Sequence, residues 1–157
     1  MALLVRGKTT CPICGRVIEQ GDDAVAFPAF VSNRLDPVFR FSDGAFHRLC
    51  VQEDPTGRIA LHRSDELMLR LGPGRRSCAV CNEQIRDPDD YLTTGFLTDN
   101  TALRASALNY VQLHRSHAHE WRSLHEAIGA LRELADSGEW DPAALQPVID
   151  LLSEYDW

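Results

Sequence analysis

Apolar and polar positions along this chain change their period several times. Between residues 16 and 41 short apolar runs alternate with turn residues: Val17-Ile18, Gly21-Asp22-Asp23, Val25-Ala26-Phe27, then Val38-Phe39-Arg40-Phe41. Runs this short, bounded by Gly, Asp and Pro, predict hairpin strands. Pro28 and Pro37 lack the N–H that a central strand needs, so the sheets should be small and edge-rich. A short helix is expected over residues 43–53, stopped by Asp54-Pro55-Thr56-Gly57. Ser64 to Leu71 reads as a second one, with Ser64 as its cap, Asp65 and Glu66 at its positive end, and Gly72-Pro73-Gly74 closing it. A second strand pair follows Cys78, with Asp87-Pro88-Asp89-Asp90 as its turn. After His117 the period lengthens: Trp121, Leu124, Ile128, Leu131 and Ala135 recur at helical spacing, predicting an amphipathic helix to about Asp136. Ser137-Gly138 ends it. Asp141-Pro142 and Pro147 lead into a last short helix over residues 147–153. These apolar stripes read as packing surfaces and not as a cofactor box.

The pattern places the chain in the α+β class, as two small units, residues 1–74 and 75–157, with a helical extension on the second. A fixed offset relates the two. Cys11-Pro12-Ile13-Cys14 returns as Cys78-Ala79-Val80-Cys81, 67 residues later, and the same shift carries His47 and Cys50 onto His114 and His117. Ile18, Asp22, Asp23 and Asn33 also meet identical residues. Residues 11–50 and 78–117 share eight identities in forty pairs, a low score given weight because three are metal-ligand types.

Zinc is held tetrahedrally by thiolate sulfur and imidazole nitrogen, and four such donors make a closed structural site. Two cysteines two residues apart can chelate one ion from a tight turn, with Gly15 suited to a positive φ. His47 and Cys50, like His114 and His117, stand at i and i+3 and would share a helix face, with Ser42 and Asn109 as N-caps upstream. The expected sites are Cys11, Cys14, His47 and Cys50 on one zinc ion, and Cys78, Cys81, His114 and His117 on a second. Sequential sites are expected over a RING-like cross-brace, because a helix and the Gly72-Pro73-Gly74 break separate Cys50 from Cys78.

This order of a knuckle, strands and a ligand-bearing helix resembles the treble-clef zinc-finger group, and Cys-x-x-Cys with aromatic-His-x-x-Cys is similar to the first site of LIM domains. The resemblance covers residues 11–50 and, less fully, 78–117. It implies metal binding and a fold, not a partner, and the chain departs from LIM in its long ligand spacing and the missing adjacent second site.

Composition narrows the function classes. The chain has 157 residues, 44% of them hydrophobic and 25% charged, an ordinary globular balance. No apolar run approaches a membrane span, and Leu3-Leu4-Val5 is too short for a signal-peptide core, so a cytoplasmic location is expected. Five cysteines cannot all pair as disulfides, whereas two zinc sites use every one. Residues 1–76 hold eleven basic and nine acidic side chains; residues 77–157 hold five and fourteen, within a net charge of −7. An acidic half repels phosphate backbones, which disfavours nucleic acid and suits a basic protein partner. Arg70, Arg75 and Arg76 are the one basic concentration and read as a solvated linker.

His114, His117, His119, Glu120, His125 and Glu126 together have the look of a reactive cluster. Helical geometry would put His119 roughly opposite His117 and His125 about 16 Å along the axis from His114. No His-Glu-x-x-His occurs, because Ser123 occupies the needed position. Closed sites leave no place for a metal-bound water. The expectation is therefore a non-catalytic zinc protein acting by protein interaction or inhibition, with a zinc-finger nucleic-acid regulator as the alternative and a treble-clef nuclease of the His-Asn-His kind as a lesser one. His62 is isolated and reads as a surface residue.

Overall fold

The computed structural model describes residues 3–156, and the chain divides into two compact units. One comprises Met1–Ser32 with Asp36–Glu66, the other Asn33–Leu35 with Leu67–Trp157. Each is a mixture of helix and a two-stranded antiparallel sheet.

In the first unit β1 (Ala24–Ala26) pairs with β2 (Ala45–His47), Val25 opposite Phe46. Between them, Val38-Phe39-Arg40-Phe41 forms not a strand but a 3-10 turn, Pro37–Phe41. Asp36 explains the difference: its carboxylate accepts the Val38 N–H at 2.8 Å, and Pro37 pre-sets the first φ. The turn drops Phe41 against Phe27 and Phe46, with ring centroids 6.0 and 5.1 Å away, and Phe30 closes the cluster at 5.4 Å from Phe27. Three rings meeting at tilted or edge angles dominate a core completed by Ile18, Val38 and Val51.

Helix α1 runs only from Arg48 to Glu53, because residues 45–47 are spent on β2. Asp54-Pro55-Thr56-Gly57, read as a stop, also starts the next helix. Asp54 Oδ1 accepts the Thr56 and Gly57 N–H groups at 2.9 and 3.0 Å, and Pro55 takes the first helical position, where its missing N–H costs nothing. Helix α2 therefore spans Pro55–Leu71 and absorbs the segment expected to begin at Ser64. A Cβ at Gly57 would lie 2.3 Å from the Val51 carbonyl oxygen, so glycine is what lets α2 start so close to α1. Further along, α2 buries Arg63, whose guanidinium pairs with the second oxygen of Asp36.

In the second unit β3 (Tyr91–Thr93) pairs with β4 (Gln112–His114), Leu92 opposite Leu113. Asp87-Pro88-Asp89-Asp90 leads into β3 and is not the hairpin turn. The expected long helix after His117 is divided. A 3-10 turn occupies Arg115–Glu120, and α3 begins at Leu124 and runs to Asp136. Leu124, Ile128, Leu131 and Leu134 are its buried stripe. Helix α4 starts at Pro142, five residues before Pro147, because Asp141 caps it by accepting the Ala143 N–H at 3.0 Å. Leu145, Ile149 and Leu152 of α4 belong to the same core. Between the helices, Trp140 is buried and donates its ring N–H to the Leu97 carbonyl at 2.6 Å, and Asn33 and Asn100 both donate side-chain N–H bonds to Glu139.

The 67-residue offset reappears in individual backbone bonds. Cys11 N–H reaches Arg16 O, and Cys78 N–H reaches Glu83 O, each at 2.9 Å. Phe27 bonds to Gly44 O as Thr94 does to Val111 O. Positive φ recurs at Gly15 (70°) and Asn82 (62°), and at Asp43 (57°) and Tyr110 (60°). Ser42 and Asn109 do not cap the ligand-bearing helices as expected. Each ends a 3-10 turn and clamps the opposite loop: Ser42 Oγ accepts from Phe30 and Val31 N–H, Asn109 Oδ1 from Leu97 and Thr98 N–H. Replacing Asn109 by Ala leaves those donors without their acceptor and should cost about 1–3 kcal/mol in urea unfolding. Asn109→Ser, which copies residue 42, should recover most of the loss; equal losses in the two variants would show that the clamp carries no stability.

Candidate metal centres

The first knuckle is a turn closed by Gly15 N–H on Cys11 O at 2.9 Å and by the Thr10–Val17 bridge on either side. It points Cys11 inward, fully buried, and leaves Cys14 exposed. β2 ends at His47 and α1 begins at once, so His47 comes from a strand end and Cys50 from the first helical turn, and not both from one helix face. The donor atoms of Cys11, Cys14, His47 and Cys50 all lie within 4.8 Å of one another. Sulfur and nitrogen donors around one tetrahedral zinc ion sit roughly 3.5–3.8 Å apart, so this set fits the ion with small adjustments.

His47 offers both ring nitrogens to this arrangement. Nδ1 is 3.3 Å from Cys14 Sγ, and Nε2 is 3.1 Å from Asp22 Oδ2. Asp22 is itself fixed by the Glu19 N–H at 2.7 Å. A carboxylate behind a ligating histidine holds the ring in place and raises its basicity.

The thiols are unequal. Cys14 is held down at about 6, first by the Arg16 backbone N–H and then by the Arg16 side chain. Burial raises Cys11, but backbone N–H groups of Cys14, His47 and Ile13 outweigh it and bring it below the usual thiol range. Cys50 is pushed up to about 11 by burial and by its two cysteine neighbours. The Cys11 and Cys14 sulfurs also raise His47.

In the second unit Cys78, Cys81 and His117 have their donors within 4.8 Å of one another, with Cys78 Sγ 3.9 Å from His117 Nδ1. Burial works against the Cys78 thiolate, but N–H groups of Cys81, His114 and Val80 bring it to about 6. Cys81 gains from the Glu83 N–H, yet burial and the adjacent Cys78 leave it raised. His114, the counterpart of His47, stands apart from this group. Its backbone N–H donates to Cys78 Sγ at 3.3 Å, but its Nδ1 lies 2.8 Å from Asp90 Oδ2.

The structure thus brings together seven of the eight expected donors and directs the eighth to a carboxylate. Asp22 and Asp90 are the functional neighbours that sequence reasoning did not assign, although Asp22-Asp23 and Asp89-Asp90 matched under the offset. His119 is exposed beside Glu120, and His125 pairs with Asp156 at 3.1 Å; neither belongs to a metal group among the described residues. All five cysteines are free of disulfides. No helix among the described residues is long and apolar enough to cross a membrane. No family model, curated protein or solved structure matches the chain.

Zinc takes thiolates, so loading the first site must expel the Cys50 proton. Protons should appear in an indicator titration with zinc, and apparent affinity should fall as pH is lowered from 8 towards 5. A pH-independent affinity would show that the thiols are not ligands. Cys50→Ala should open the first site and lower the melting temperature, whereas Cys50→His, an acceptable zinc donor, should keep the metal. Identical behaviour of the two variants would exclude residue 50 from the site.

Proposed function

We propose that the chain is a pair of zinc-stapled modules, of the treble-clef kind and related by duplication, that works by binding another protein and not by catalysis. The observation that carries this reading is the four-donor set Cys11, Cys14, His47 and Cys50, whose atoms lie within 4.8 Å of one another and would complete a zinc ion's tetrahedron, leaving no open position for chemistry. Each sheet has only two strands of three residues, too little to be stable alone, and a structural zinc site worth about 10–16 kcal/mol of apparent binding energy supplies what such a unit lacks. Free thiols fit a reducing, cytoplasmic setting.

An interaction role is supported by what the surface carries. Residues 77–157 contain fourteen acidic side chains against five basic ones, which favours a basic protein over a phosphate backbone. Leu49 beside the Cys50 ligand, and Met68 and Leu69 late in α2, are more than half exposed. Large apolar side chains left in water are the usual material of interface cores.

The zinc-loaded full chain, immobilised, should retain basic proteins from its native cell in a salt-sensitive manner. Duplex DNA and single-stranded RNA should not be retained on filters at either low or moderate salt, and supercoiled plasmid with added divalent metal should stay intact. Nucleic-acid retention that weakens steeply with salt would replace this reading with a nucleic-acid regulator. Plasmid cleavage would replace it with a nuclease.

A further inference from the structure

The two metal groups differ at one point, and the difference has a local cause. At the first site the carboxylate behind the histidine belongs to Asp22 and meets Nε2, which leaves Nδ1 facing the Cys14 sulfur. At the second site the carboxylate belongs to Asp90, the counterpart of Asp23, one residue closer to the strand. It takes Nδ1 of His114, the very nitrogen that at position 47 faces sulfur. Asp90 thus occupies Nδ1, and the other ring nitrogen, Nε2, does not come within 4.8 Å of all three donors of Cys78, Cys81 and His117.

Asp90 is not free to move aside. Its carboxylate also accepts the Ser116 N–H at 2.8 Å and the Ser116 hydroxyl at 3.1 Å, and its carbonyl accepts the Arg115 N–H at 2.7 Å. The His114 ring is mostly buried and stands edge-on to the His117 ring, centroids 5.1 Å apart. His114 ends β4 as His47 ends β2, but His117 lies in a 3-10 turn where Cys50 lies in an α-helix, so the placement of His114 and His117 does not reproduce that of His47 and Cys50.

We infer that the second site holds its zinc ion with three protein ligands, Cys78, Cys81 and His117, and that a small Lewis base from solvent, water or an anion, takes the fourth position, with His114 kept by Asp90 as a hydrogen-bonding neighbour. The inference rests on the zinc reading above. Three protein ligands with an exchangeable fourth position give an ion that can bind and polarise a small molecule, which a closed set cannot do. The two ions would then have different duties, the first structural and the second open to ligands.

Full-length protein loaded with cobalt, which reports its ligands through visible absorption, tests this. Wild-type protein should bind about two ions per chain, and azide should shift the visible bands saturably, to the extent of one ion. His114→Ala should still bind both ions and still respond to azide, whereas His117→Ala should lose one. Loss of an ion in His114→Ala, with no azide response in the wild type, would make His114 the fourth ligand and overturn the inference. If His114→Ala does not fold, the wild-type azide response decides by itself. Wild-type protein that binds fewer than two ions would instead overturn the zinc reading on which the inference stands.

Discussion

Four side chains converging on one point from two separated stretches of backbone are what the first unit depends on. Cys11 and Cys14 come from a knuckle closed by Gly15, and His47 and Cys50 arrive more than thirty residues later from the junction of β2 and α1. Cys11 and Cys14 sit below the usual thiol range, while burial and those two neighbours push Cys50 up to about 11, so without an ion the three sulfurs resist ionising together. An ion held there would turn that conflict into a strong cross-link between the two stretches. The sheet, the phenylalanine cluster and the cap at Asp54 are arranged around the segments that carry these four donors.

The second unit solves the problem differently. It repeats the knuckle, the 3-10 turn and the strand pairing bond for bond, but it adds α3 and α4, whose leucines and Ile128 and Ile149 build a core with Trp140 at its edge. With more buried apolar residues than the first unit, it would depend less on a metal ion. On that ground a relaxed ligand set would be tolerable there, and the His114 ring is bonded to Asp90. The substitution of Ser42 by Asn109 shows the same tolerance: a different side chain performs the same clamp on the equivalent loop.

Much of this was legible in the sequence. The cysteine pairs, the gapless offset and the apolar stripe of α3 each followed from residue type and spacing, and they pointed to the seven side chains that the structure groups. Three things were not legible, for identifiable reasons. The run Val38-Phe39-Arg40-Phe41 has a strand-like pattern, but Asp36 and Pro37 act locally as a helix cap and override it. Asp54-Pro55 reads equally as a stop and as a start, and only the bonds from Thr56 and Gly57 to Asp54 decide that α2 begins there. The orientation of His114 turns on which of two adjacent aspartates reaches it, a one-residue choice that spacing cannot encode.

The central claim is that each half of the chain encloses its own ion. Cadmium-113 substitution of the full-length protein tests it most directly, because each bound nucleus reports its sulfur ligands by chemical shift and couples to the β-protons of the cysteines that hold it. Two resonances are predicted, one coupled to Cys11, Cys14 and Cys50 and shifted to the three-sulfur range, the other coupled to Cys78 and Cys81 alone. A single nucleus coupled to Cys11 or Cys14 together with Cys78 or Cys81 would mean a cross-braced site, and the account of two self-contained zinc units would be wrong.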